Sequence, residues 1–148
     1  MKEDIFKKTE ATLYQYKSLD VKIKNIQIDI ENLENDITVK AVSYEEKVAP
    51  TNAFNSSVEN EVIRREGYIK NQLETLRAKK KYYEDLQIKI ESSLETLEDI
   101  EKQIVELRYF NRNRLRWDEV SAKVCLERNW CTQKKNKVIK KLAEMIYP

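Results

Sequence analysis

Between Arg112 and Lys141 the sequence gathers side chains of the types that can bind a polyanion or read base edges. Arg128, Asn129, Trp130, Thr132, Gln133 and Lys137 follow one another closely. Arg pairs two N–H donors with guanine O6 and N7, and Asn or Gln bridges N6 and N7 of adenine. Trp130 has two readings: contact with a thymine methyl or the sugar backbone, or burial against a preceding helix. Arg112, Arg114, Arg116, Lys134, Lys135, Lys140 and Lys141 flank this group. Such cations hold phosphates and supply salt-dependent affinity without sequence information; the alternative is an ordinary solvated surface.

Composition closes off other chemistries. The 148 residues include no His, one Gly and two Cys. Without imidazole there is no Ser-His-Asp or Cys-His catalysis and no histidine metal ligand. Gly67 alone cannot build a Gly-rich phosphate loop. Cys125 and Cys131 are too few for a disulfide scaffold or a four-thiolate zinc site, and their spacing does not match a CxxC redox pair. No enzyme activity, cofactor or metal is expected, and both thiols are expected reduced. Met1–Glu10 mixes charges of both signs without an apolar run, unlike a signal peptide. No stretch approaches the roughly 20 apolar residues that span a bilayer. The expectation is a cytoplasmic protein without a membrane partner.

Charge is divided along the chain. Residues 107–148 carry a net +7 and residues 1–106 a net −5. A basic third on an acidic remainder points to a polyanion partner at one end.

The elements that position these residues are helices. One Gly and two Pro leave little with which to build tight turns, which argues against a sheet protein, and richness in Glu, Lys, Leu, Ile and Gln favours long helices. Ile5, Tyr16, Leu19, Ile23, Ile26, Ile30, Leu33 and Ile37 fall on alternating three- and four-residue steps, the seam of a coiled coil. Thr9 and Thr12 occupy weak positions of that register. Tyr14, Val21 and Ile28 form a second stripe one heptad apart, suggesting a further contact within the chain or with another subunit. The pattern stops near Val48. Residues 49–57, with Pro50 among Asn and Ser, read as a loop; Ser56 or Ser57 suits a helix N-cap, and Phe54 is expected to pack on a helix end. A second repeat runs through Val62, Ile69, Leu73, Leu76, Tyr83, Ile90, Leu94 and Leu97, interrupted by Lys80 and Gln87.

Two such helices joined by a short loop predict a long antiparallel, coiled-coil-like hairpin over 1–95. Its narrow seam is thin for independent stability, so self-association or docking on the C-terminal part is expected, with an intramolecular three-helix arrangement as the alternative. Over 96–148 three shorter helices are expected. The first carries Leu97, Ile100, Ile104 and Leu107. The second starts at Trp117, with Trp117 in the core. The third runs to Ile146 with Cys131, Val138, Leu142 and Met145 inward. A tight joint between the last two defines a helix–turn–helix, whose second helix enters the major groove. The predicted fold class is all-α.

The segments Ile104–Phe110, Trp117–Val120 and Lys137–Leu142, in that order and at these distances, resemble region 4 of bacterial sigma factors. The register of that resemblance implies that Arg128, Asn129, Trp130, Thr132, Gln133 and Lys137 lie on or near the exposed face of the recognition helix. The whole chain, including the linker Thr51–Asn60, resembles the ArpU/RinA-like phage transcriptional regulators. That resemblance implies a prophage-encoded, sequence-specific DNA-binding activator of late genes, with double-stranded DNA as partner and host RNA polymerase as a further one. A helical adaptor that binds polymerase or another protein without reading DNA is the competing reading. The sequence departs from the sigma pattern at three points. Cys125 replaces the turn glycine, so it must avoid the left-handed region or the turn is remodelled. Glu127 replaces the serine cap, with Asn129 as an alternative cap. Lys134 stands at an apolar position.

Overall fold

The computed structural model describes residues 2–47 and 55–148, with side chains over 3–36 and 59–148. The described residues are all-helical: α1 (Lys2–Lys47), α2 (Asn55–Glu95), α3 (Asp99–Tyr109), α4 (Trp117–Val124) and α5 (Arg128–Ile146). Pro50 and Phe54 lie outside the described residues. Because α2 already begins at Asn55, Ser56 and Ser57 stand inside the helix rather than at its cap.

The chain divides into two compact units, one formed by residues 22–83 and the other by residues 1–21 with 84–148. In the first, Ile26 and Ile30 of α1 bury against Ile69 and Leu73 of α2, with Leu33, Leu76 and Tyr83 packed alongside. Lys80, which breaks the apolar repeat, donates its ammonium to Gln27 at 2.8 Å, and Arg77 pairs with Glu34 at 2.7 Å. These pairs step in opposite directions along the two helices, so the facing stretches are antiparallel. Ile28 is exposed, leaving the second stripe uncovered here.

In the second unit the N-terminal turns of α1 and the C-terminal turns of α2 pack with α3, α4 and α5. The α1–α2 stretches again run antiparallel: Tyr16 donates to Glu91 at 2.8 Å, and Gln87, the other break in the repeat, donates to Asp20. Leu13, Leu19, Ile90, Ile104, Val105, Val120, Cys131, Val138, Ile139, Leu142 and Ile146 are buried here. The weak seam positions Thr9 and Thr12 are buried as well. Their hydroxyls donate to the Ile5 and Lys8 carbonyls one turn back, at 2.7 and 2.8 Å. Buried polar groups persist only when so satisfied. Ile5 and Val21, by contrast, are exposed, and Leu13 supplies apolar bulk that the repeat does not identify.

α2 ends at Glu95 and α3 begins only at Asp99, so the apolar pattern runs across a joint that it does not mark. That pattern puts Leu97 inside a helix, but it sits buried in the joint between Glu95 and Asp99. There the Glu101 carboxylate accepts the Glu98 backbone N–H at 3.1 Å, satisfying a free donor at the start of α3. At the start of α4, Glu119 accepts the Arg116 N–H at 3.4 Å in the same manner.

Candidate nucleic-acid interface

α4 and α5 are joined by Cys125, Leu126 and Glu127. α4 ends because Cys125 turns into the left-handed region, φ 57 and ψ 39, where its N–H and that of Leu126 both meet the Ser121 carbonyl. This corrects the expectation that a cysteine would avoid that conformation. The usual penalty is about 1–2 kcal/mol, and the turn retains it because the two N–H bonds close the helix. The thiol reaches the Ala122 carbonyl at 3.8 Å. α5 begins at Arg128 with Glu127 in the cap position, so Asn129 is not the cap.

Packing against α3 and α4 sets which residues α5 exposes. Cys131, Val138, Ile139, Leu142, Ala143 and Ile146 form its buried face. At about 100° per residue, the opposite face carries Asn129, Gln133, Lys137, Lys140 and, near its C-terminal end, Glu144, with Trp130 and Lys141 beside them. All seven are exposed. Met145, expected inward, is instead 37% exposed, with its sulfur 3.4 Å from the Thr96 hydroxyl; Ile139, Ala143 and Ile146 fill the core in its place.

Two base-reading candidates stand apart from this face. Arg128 projects beside α4 and pairs with Asp118 at 3.3 Å, both well exposed. Thr132 is half-buried and donates to the Asn129 carbonyl at 2.9 Å. Trp130 is 40% exposed rather than buried, with the Lys134 ammonium 5.8 Å from its ring centre.

The flanking cations divide likewise. Arg112, Arg114 and Arg116 are exposed in the α3–α4 connection, where the Arg114 guanidinium lies 4.9 Å from the Tyr14 ring centre. Lys140 is open, and Lys141 is exposed while pairing with the buried Glu101 at 3.6 Å. Lys135 is the exception among the expected phosphate contacts. Its side chain is turned inward, with the ammonium 3.1 Å from Glu10 and within 6 Å of the Phe6 and Trp117 ring centres. It is an internal strut, because α1 brings a carboxylate to that side of α5. Trp117 itself is half-buried between Lys135 and the Arg108 guanidinium. The buried face also pushes the Cys131 thiol up from its ordinary pKa, which leaves it a poor nucleophile.

Sequence reasoning missed Glu10, Glu101 and the groove of about 940 Å³ on this unit. The groove has Leu94, Leu107 and Phe110 among its apolar lining and Lys17, Arg112 and Lys123 among its polar lining. Glu101 carried a weak signal, being four residues before Val105 and three after Glu98, a capping position.

The described residues thus form an all-helical protein with a polar, cationic helix face open to solvent. The chain belongs to the family described as "Protein of unknown function (DUF722)", whose family model matches residues 6–144. No curated protein and no solved structure matches the chain. Among the described residues, no helix is long and apolar enough to cross a membrane.

Proposed function

We propose that this protein is a sequence-specific DNA-binding transcription regulator in which α4 and α5 act as a helix–turn–helix and α5 enters the major groove. One observation carries this reading: Asn129, Gln133, Lys137 and Lys140 share the open face of α5 while the opposite face is buried. Amide side chains suit adenine edges, and lysines beside them suit guanine edges or phosphates. Arg112, Arg114, Arg116 and Lys141 add cations for the backbone. The likeness to sigma region 4 and to ArpU/RinA-like phage regulators supports a prophage late-gene activator acting in the bacterial cytoplasm. In this reading α1 and α2 form a long antiparallel hairpin that mediates self-association, and host RNA polymerase is a further partner.

The experiment is retention of genomic or random-sequence duplexes followed by sequencing, with binding then measured over a salt series. A common retained sequence, and affinity falling steeply with salt, are the expected results. Absence of duplex binding at low salt refutes the reading. The groove lined by Leu107, Phe110 and Lys123 favours a second reading, a helical adaptor that grips a protein partner; that reading requires no DNA binding.

A further inference from the structure

The first turns of α1 meet α5 directly behind its open face. Lys135 lies about 180° around the helix from the midpoint between Gln133 and Lys137. Its ammonium is 3.1 Å from a Glu10 carboxylate oxygen, and the side chains are only 17% and 25% exposed. The same oxygen accepts the Tyr109 hydroxyl at 2.8 Å. One carboxylate therefore ties α1 to α3 and to α5. A second tie lies at the far end of α5, where the hydroxyls of Thr12 and Tyr147 are 2.6 Å apart and the Lys8 ammonium stands 4.2 Å from the Tyr147 ring centre.

An enclosed ion pair is an inefficient source of stability, because desolvation consumes much of the Coulomb gain. It does fix geometry, since each charge tolerates few positions for the other. Base reading depends on that geometry: a bidentate amide or guanidinium hydrogen-bond pair breaks when the helix tilts or slides. Long lysines on phosphates follow such a shift.

We propose that Glu10 is a positioning residue for base reading, which by holding Lys135 sets the angle at which α5 presents Asn129, Gln133 and Lys137 to DNA. The proposal rests on the DNA-reading function above and goes beyond it by giving the N-terminal helix control of specificity. Glu10 touches no DNA; it acts through Lys135.

The test compares the full-length parent with Glu10→Gln, Lys135→Arg and Tyr109→Phe. The probes are a duplex selected by the parent from random-sequence DNA and a scrambled duplex of equal length, each measured over a salt series. Glu10→Gln is expected to lower the selected-to-scrambled affinity ratio at least tenfold while the salt slope on the scrambled duplex stays unchanged. Lys135→Arg, which keeps the pair, is expected to hold the ratio within twofold. Tyr109→Phe removes a hydrogen bond from the same carboxylate while leaving the Glu10–Lys135 pair in place, and is expected to lower the melting temperature but not the ratio. Should Glu10→Gln fail to fold, Lys135→Met replaces it, with the same expected fall in ratio. A ratio unchanged in Glu10→Gln, or in Lys135→Met as its substitute, overturns the proposal. So does a Tyr109→Phe ratio reduced as much as theirs, since general loosening then explains the effect. A parent that selects no sequence refutes the DNA reading itself and takes this proposal with it; a parent that discriminates while its variants do so equally refutes the proposal alone.

Discussion

The Tyr109 hydroxyl donates to Glu10 across 2.8 Å, joining a side chain near the end of α3 to one in the early turns of α1. The Tyr109 ring also meets Tyr14 edge-on, with ring centres 4.8 Å apart. Burial, followed by the nearby Glu10 charge, pushes the Tyr109 phenol well above its ordinary pKa. Tyr16 is pushed up to about 12, chiefly by burial and then by its bond to Glu91.

These shifts set an alkaline limit. Both phenols stay protonated in the folded chain at pH values where the unfolded chain has released their protons. Their stabilising contribution is complete below the ordinary tyrosine pKa of about 10. It falls as pH rises from there, through about 12 for Tyr16. Urea midpoints are therefore expected to drop above about pH 10, and Tyr109→Phe is expected to flatten the dependence. A midpoint independent of pH in this range contradicts the argument.

Cys125 holds a left-handed backbone, φ 57, that glycine adopts without steric cost. Cys125→Gly relieves that strain but gives the unfolded chain more freedom. The expected net is a gain of about 0.5–1 kcal/mol. Cys125→Val, branched at Cβ, is expected to cost about 1–3 kcal/mol. Chemical denaturation of the two variants measures the difference, and destabilisation by glycine contradicts the reading of the turn.

The inner face of α5 separates Leu142 from Met145. Leu142 is fully buried, so Leu142→Ala is expected to cost about 2–5 kcal/mol. Met145 is 37% exposed, and Met145→Ala is expected to cost less than about 1 kcal/mol. Equal losses on thermal unfolding would contradict the orientation of the helix.

On the outer face, Gln133→Ala is expected to cost about 1–3 kcal/mol on a selected duplex and nothing on a scrambled one. Lys140→Ala is expected to weaken both equally and to reduce the salt slope by about 0.9, the share of a single neutralised phosphate. Salt titrations of both variants decide whether the two residues divide the work in this way.

The residue string determined the helices themselves. Apolar spacing placed the start of α4 at Trp117 and carried α5 to Ile146, because helical periodicity is a local property recorded within a few residues. It also concentrated positive charge in the last third. The start of α2 and the fate of Leu97 were less legible, since caps depend on which backbone donor a neighbouring side chain meets. Tertiary structure alone decided what each polar side chain does. Lys134 and Lys135 are adjacent and chemically identical, yet one lies over an exposed tryptophan and the other is drawn to Glu10. Thr9 and Thr12 are buried, and Glu101 is 1% exposed, against the tendency of such residues to stay in water. The physical reason is that a helix has several faces but its sequence does not state which neighbour will cover each. Only packing supplies the partner that lets a hydroxyl, ammonium or carboxylate leave water.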